Sequence, residues 1–159
     1  MDRVSIFLVR AALLWLVLGF ALGALMLSDA LVPGTWRSWF APTHGHILFV
    51  GWFLQFAIGV GYWLLPRKRS PARPEGYHET RAMVAFALLN TGLLLRVIAE
   101  PLDHMGRRSD VLVSGLAVSS VLQFAAIVIV VTQLWGRIIP RKKRAASDTA
   151  DRSTSGSSE

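Results

Sequence analysis

The chain has 159 residues, of which 53% are hydrophobic and only 17% are charged, and its formal net charge is +7. These proportions exclude an ordinary soluble domain, and the absence of cysteine excludes a disulfide scaffold. The absence of cysteine also excludes covalently attached c-type haem, iron–sulfur clusters and thiolate copper centres. A redox cofactor would therefore need histidine, methionine or carboxylate ligands.

Four apolar segments follow one another along the chain. They run from about Val4 to Leu27, His44 to Leu65, Met83 to Ala99 and Val111 to Ile139. About 20 apolar residues cross a bilayer, and backbone groups in hydrocarbon must be paired within a helix. The first segment is longer than a signal-peptide core, and further spans follow it, so we interpret it as an uncleaved helix. The sequence predicts an all-α membrane protein, a four-transmembrane-helix bundle over residues 1–140.

Basic residues predict the orientation of this bundle. They cluster in residues 67–81 and 137–144, whereas the loops on the other side hold only Arg37, Arg107 and Arg108. Because basic loops stay inside, both termini and the middle loop should be cytoplasmic, in a multi-pass protein of the cell's inner (plasma) membrane. These flanks account for the net charge without nucleic acid, and their predicted partner is membrane lipid. Residues 141–159 form a tail that is basic at first and then predicted to be disordered.

Prolines predict the ends of the helices. Pro66, Pro101 and Pro140 should end the second, third and fourth segments, because proline removes a helical hydrogen bond. Pro42 should stop the chain in a loop, and Thr43 should then cap the second helix.

Two histidines stand at the predicted mouth of the second helix, where ionisable groups are functional candidates by default. Residues two apart on a helix point about 200° from each other, so His44 and His46 should not share one ion while the helix is regular. The face of His44 is small and polar, whereas that of His46 is apolar. The first comprises Gly51, Gln55, Gly59 and Tyr62, and the second Phe53, Ala57, Val60 and Leu64. We therefore favour His44 as the inward ligand; His46 would serve if the first turn is unwound, or at a second centre.

The third segment runs in the opposite direction, which brings Arg96, Glu100 and His104 to the histidine-bearing end. One interpretation is that Arg96 binds an anion such as a haem propionate. The other is that its side chain extends to the membrane surface or pairs with Glu100 one turn away. The candidate cofactor-binding residues are His44, His46, Gln55 and Arg96. The candidate metal ligands are His44, His46 and His104. No catalytic residue is predicted, since the spans contain no nucleophile–base arrangement or paired carboxylates.

Residues 43–47 (THGHI) and the apolar span ending GVGYWLLP at residue 66 resemble the second membrane helix of haem–copper oxidase subunit I. The resemblance implies that His44 is an axial ligand of a low-spin haem on the outer side. The HGH pattern also resembles a family of membrane haem and copper proteins linked to nitric oxide stress. Residues 88–101 (LLNTGLLLRVIAEP) resemble short four-helix, oxidase subunit I-like proteins. Complete oxidase subunits have many more spans, which supply the remaining ligands, so this chain is not a complete oxidase alone.

Three functions are consistent with these residues. The first is a haem b-binding protein that transfers electrons or senses oxygen or nitric oxide. The second is a copper or zinc binding or transport protein, and the third is a cofactor-free assembly subunit of a respiratory complex. The sequence does not identify the second axial ligand. It could be His44 of a second subunit, His46 or His104. With no second ligand, the iron would be open to a gas. A shared haem would make the protein a homo-oligomer, and the alternative partner is a respiratory complex.

Overall fold

The computed structural model describes residues 1–28, 34–66, 76–107 and 109–138. These residues form α1 (Arg3–Leu27), α2 (Thr35–Leu64), α3 (Glu79–His104) and α4 (Asp110–Trp135). There is no strand within the described ranges, and each of the four helices is long and apolar enough to cross a membrane. The predicted all-helical class with four apolar helices is confirmed. Pro140, the tail 141–159 and most of the basic loop 67–81 lie outside the described residues.

Consecutive helices are antiparallel. Gln55 of α2 donates to the carbonyl oxygen of Leu8, whereas His44, near the other end of α2, contacts that of Gly19. Helix α2 contacts α3 at one end through Thr43 and Glu100. At its other end Tyr62 packs against Tyr77, which lies two residues before the start of α3. We call the end with His44 and Glu100 the histidine end and the end with Tyr62 and Tyr77 the tyrosine end.

Glycines allow the helices to approach closely in the middle of the bundle. A Cβ atom on Gly51 would lie 2.8 Å from the side chains of both Trp15 and Leu93. One on Gly92 would lie 2.9 Å from the backbone oxygen of Ser119, whose hydroxyl donates to the Gly92 carbonyl at 2.7 Å. Small residues at such crossings permit the tight contacts that hold helices together in lipid.

Two proline predictions are wrong. Helix α2 begins at Thr35, so Pro42 and Thr43 lie inside it and Thr43 caps nothing. Helix α3 passes through Pro101 and ends at His104. A proline removes one backbone hydrogen bond, which packing can offset, whereas Gly106 takes the left-handed conformation (φ 78°) that ends a helix. Pro66 does follow the end of α2, as predicted.

The apolar run and the Pro42-Thr43 pair predict that α2 starts near His44, yet the helix extends nine residues further. A bilayer needs only about 20 residues, so the 30 residues of α2 are enough to project beyond the hydrocarbon. In that extension the rings of Trp36 and Phe40 pack one turn apart, with centroids separated by 5.2 Å. Helix α4 ends at Trp135, a few residues before the predicted Ile139.

The middle of α2, Ile47–Leu54, is a π-helix that begins directly after His46. Its i→i+5 hydrogen bonds give a wider turn, and such segments are frequent at functional sites. The predicted faces of α2 are nevertheless found. The inward positions Gly51, Gln55, Gly59 and Tyr62 are all buried, and the outward positions Phe53, Ala57 and Leu64 are exposed. Only Val60 differs from the outward set, because it is partly buried.

Candidate functional site

The imidazole of His44 packs against the backbone of α1. Its Nδ1 lies 3.0 Å from the carbonyl oxygen of Gly19. A carbonyl oxygen can only accept, so Nδ1 carries the hydrogen, and in the neutral ring Nε2 keeps its lone pair. Histidines that ligate metals characteristically donate their other ring nitrogen in this way, which fixes the tautomer and the ring orientation.

Gly19 and Gly23 make room for this contact on α1. A Cβ atom on Gly23 would lie 2.9 Å from Cε1 of His44, and one on Gly19 would lie 2.9 Å from Cγ of Leu48. Two glycines four residues apart form a small-residue face on which a neighbouring helix can pack. Both glycines are visible in the first apolar segment of the sequence, and their spacing is the signal for this face.

His44 lines a groove between α1 and the first half of α2, with a volume of about 570 Å³. That volume lies within the range of about 300–1,000 Å³ typical of small-molecule sites. The rest of the lining comprises Phe20, Gly23, Ala24, Met26, Leu27, Arg37 and Leu48. The groove is therefore mainly apolar, with one imidazole, one thioether and one guanidinium. Met26 and Arg37 were missed as site residues, since they are remote from the His-Gly-His motif in sequence.

Glu100 is the centre of a second polar cluster at the histidine end. It is only 7% exposed. The hydroxyl of Thr43 donates to Glu100 Oε2 at 3.0 Å. Nδ1 of His46 lies 3.3 Å from the same oxygen, but its shorter contact, 2.9 Å, is with the backbone oxygen of Pro42. Arg96 Nε lies 3.8 Å from Oε1. A buried carboxylate needs such partners, because burial without them is costly.

The predicted site residues therefore lie against two different helices, α1 and α3, which we call the two walls of the histidine end. His44 contacts α1, whereas His46 and Arg96 adjoin Glu100 of α3. His104 is exposed, and its Nδ1 donates to the backbone oxygen of Glu100 at 2.8 Å. In the part of the chain that the structure describes, no three His, Cys, Asp or Glu side chains are grouped to hold a metal ion. The predicted metal ligands His44, His46 and His104 thus make separate contacts.

Gln55 lies deeper in the bundle than the histidines and is completely buried. Its Nε2 donates to the carbonyl oxygen of Leu8 at 3.4 Å, while its Oε1 accepts no hydrogen bond from any described residue. Gln55 does not line the groove of His44. Arg96 adopts the arrangement in which it pairs with Glu100, and its Nε makes no hydrogen bond among the described residues.

No family model, curated protein or solved structure matches this chain. The resemblance of residues 43–66 and 88–101 to oxidase subunit I proteins therefore remains a prediction. The contacts of His44 and the composition of its groove are the observations that bear on function.

Proposed function

We propose that this protein is an integral membrane protein that binds haem b through His44 and acts in electron transfer or in sensing oxygen or nitric oxide. The observation that carries the proposal is the hydrogen bond from His44 Nδ1 to the Gly19 carbonyl within an apolar groove. It leaves Nε2 as the nitrogen that can bind iron.

The residues of the groove suit the three chemical parts of a haem. An imidazole nitrogen is the usual axial ligand, and apolar side chains suit the porphyrin faces. A guanidinium such as that of Arg37 suits a propionate, because carboxylates form charge-assisted hydrogen bonds with arginine. The space beside His44 also depends on Gly23, whose Cβ would press on the imidazole. The bound group would supply a one-electron redox couple, and the protein would orient it and exclude water.

The arrangement of the other histidines bears on the second axial position. His46 and His104 both contact Glu100 rather than the groove. That leaves Met26, His44 of a second copy, or an open position as the candidates. The visible spectrum separates these, because ligation by histidine and methionine, by two histidines and by one histidine alone gives different iron environments. A haem shared between two copies would make the protein a homo-oligomer. A haem bound by one chain alone would be consistent with a subunit of a respiratory complex.

The membrane placement belongs to the same proposal. Four long apolar helices support a multi-pass protein, and the basic residues around 67–81 and 137–144 support cytoplasmic termini in the plasma membrane. The histidine end would then lie on the outer side. Haem b in that position would exchange electrons with outer-side partners.

Copper or zinc binding is supported less well than haem binding. Among the described residues, His46 and Glu100 are a close pair of potential ligands, 3.3 Å apart, and Arg96 already lies 3.8 Å from that carboxylate. A metal cation there would compete with the guanidinium for the same charge. Two ligands are also fewer than the three or four that zinc sites use.

The test is the visible spectrum of the purified protein in detergent, oxidised and after dithionite reduction, from cells supplied with haem. We expect a sharp reduced α-band that is lost in His44→Ala and kept in His46→Ala, the matched control two residues away. A colourless wild-type protein would reject the haem proposal. Elemental analysis of the same sample would then separate a copper or zinc protein from a cofactor-free subunit.

A further inference from the structure

Met26 lies beside His44 in the lining of the groove between α1 and α2. The chain has four methionines, and Met26 is the one found in this lining. It is only 9% exposed, whereas Leu27, the next residue on α1, is 75% exposed. The thioether is therefore turned into the protein at a level of the helix where its neighbour faces outward. Thioether sulfur is a soft ligand that binds haem iron together with histidine.

The contacts of His44 with α1 indicate where its unprotonated nitrogen points. Nδ1 lies 3.0 Å from the carbonyl oxygen of Gly19, and Cε1 is the ring atom nearest to a Cβ placed on Gly23. Because Cε1 lies between the two ring nitrogens, Nε2 is on the side of the ring away from Gly19. Met26 is three residues beyond Gly23, on the same face and one turn nearer the end of α1. The sulfur of the groove thus belongs to the turn of α1 that follows the ring.

The turn that carries Met26 is also held by the helix that carries His44. Nε of Arg37 on α2 lies 3.5 Å from the backbone oxygen of Met26. Helix α1 ends directly after this turn, at Leu27. Carbonyl oxygens in the last turn of a helix have no partner within it, so a guanidinium from a neighbouring helix stabilises them. The two sides of the groove are therefore joined at the level of Met26.

We propose that Met26 supplies the second axial ligand through its sulfur, opposite the ligand that His44 supplies through Nε2. This inference rests on the proposed haem function and makes it more specific. A thioether in that position closes the iron to oxygen and nitric oxide. It also raises the reduction potential relative to ligation by two histidines. Of the two activities in the proposed function, the role of Met26 selects electron transfer over gas sensing.

A purely structural role for Met26 makes a different prediction, because methionine also fills gaps in apolar surroundings. Leucine is apolar and has a similar volume, so Met26→Leu keeps the packing and removes the sulfur. Met83→Leu is the matched control. Met83 packs against the apolar cluster of the tyrosine end, which contains Tyr62 and Tyr77. A change that occurs in Met26→Leu alone is therefore due to the sulfur in the groove.

The test uses the full-length protein purified with haem, as wild type, Met26→Leu and Met83→Leu. Near-infrared magnetic circular dichroism of the oxidised protein identifies the axial ligands, because methionine–histidine and two-histidine ligation give different charge-transfer bands. Redox titration measures the midpoint potential, and absorbance measures carbon monoxide binding to the reduced protein. Far-ultraviolet circular dichroism verifies that each variant is folded.

We expect methionine–histidine bands in the wild type and in Met83→Leu, and their loss in Met26→Leu with haem still bound. The midpoint potential of Met26→Leu should shift to a lower value. Its apparent affinity for carbon monoxide should rise about tenfold or more. A thioether that occupies the position in about nine molecules of ten leaves only the remaining fraction able to bind the gas.

The outcomes distinguish this proposal from the haem proposal. A colourless wild-type protein would reject both. A haem that depends on His44, with the same bands, potential and carbon monoxide affinity in wild type and Met26→Leu, would overturn the role of Met26 alone. Two-histidine bands in the wild type would also overturn it and would indicate His44 of a second copy. The wild-type bands decide the ligand even if Met26→Leu does not fold, and Met26→His should convert them to the two-histidine type.

Discussion

His44 and Gly19 are joined by a 3.0 Å contact between an imidazole Nδ1 and a backbone carbonyl of the neighbouring helix. The contact depends on Gly23, because a Cβ atom there would lie 2.9 Å from Cε1 of the ring. It assigns the proton to Nδ1 and makes Nε2 the potential ligand nitrogen. The same contact separates His44 from His46, which adjoins Glu100 on the other wall.

Gly23→Ala tests whether the position of His44 matters for the cofactor. The added methyl group would lie 2.9 Å from Cε1 of His44, so the ring has to move. Changes to groups that orient a ligand typically cost about 10- to 100-fold in affinity, and we expect a loss of haem affinity of that size. Haem titration of the apoprotein measures it. Gly61→Ala is the control, since its Cβ meets only Leu134 at 3.7 Å, and equal losses in both would contradict the interpretation.

Glu100→Gln tests whether haem binding at His44, which lies against α1, is independent of the polar cluster around Glu100 of α3. The substitution removes the charge that faces His46 and Arg96 within a site only 7% exposed, and it should destabilise the protein by about 1–3 kcal/mol. The haem spectrum should be unchanged, because His44 lies against α1. Thermal unfolding and the visible spectrum are measured together, with the exposed Glu79→Gln as the control. Loss of the α-band in a folded Glu100→Gln protein would place the haem on the other wall.

The faces of α2 could be predicted from the sequence, whereas the partners of its histidines could not. Helical periodicity identified Gly51, Gln55, Gly59 and Tyr62 as one face, and all four are buried. It also indicated that His44 and His46 point in different directions. Which helix each histidine meets depends on how α1 and α3 cross α2, and that is determined by long-range packing such as the contact of Gly51 with Trp15.

The proline errors have a related cause. Pro42 and Pro101 predict breaks in the sequence because a proline lacks one backbone donor. In this bundle Pro101 is buried and its carbonyl accepts from the Met105 amide, so the helix continues around it. The stop at Gly106 was visible in the sequence as a glycine beyond the apolar run.

The membrane orientation can be tested with single cysteines, because the natural chain has none. Ser38 at the histidine end and Thr80 at the tyrosine end are both exposed. If the histidine end is outside, Ser38→Cys should react with a membrane-impermeant maleimide in intact cells, and Thr80→Cys should react only after lysis. The reverse pattern would place the termini on the outside and contradict the prediction from the basic loops.

Trp15 and Asn90 offer a measure of polar contacts between helices. The indole N–H of Trp15 donates to Asn90 Oδ1 at 2.9 Å. A double-mutant cycle with Trp15→Phe and Asn90→Leu should give a coupling of about 0.6–2 kcal/mol, as found for hydrogen bonds between membrane helices. Unfolding in mixed micelles measures it. Ser120→Ala, which removes a bond within one helix, is the control and should show no coupling to Trp15→Phe.

Arg137→Lys tests whether the planar hydrogen-bond donors of the guanidinium stabilise the end of α2. Arg137 bonds three carbonyl oxygens there, whereas a lysine ammonium keeps the charge but cannot reproduce the planar arrangement of donors. We expect a loss of about 1–3 kcal/mol in the free energy of unfolding and faster amide hydrogen exchange in the last turn of α2. The control is Arg81→Lys, an exposed substitution that should change neither. Because Arg137→Lys preserves the charge, unaltered exchange would show that charge alone, rather than hydrogen-bond geometry, joins α4 to α2.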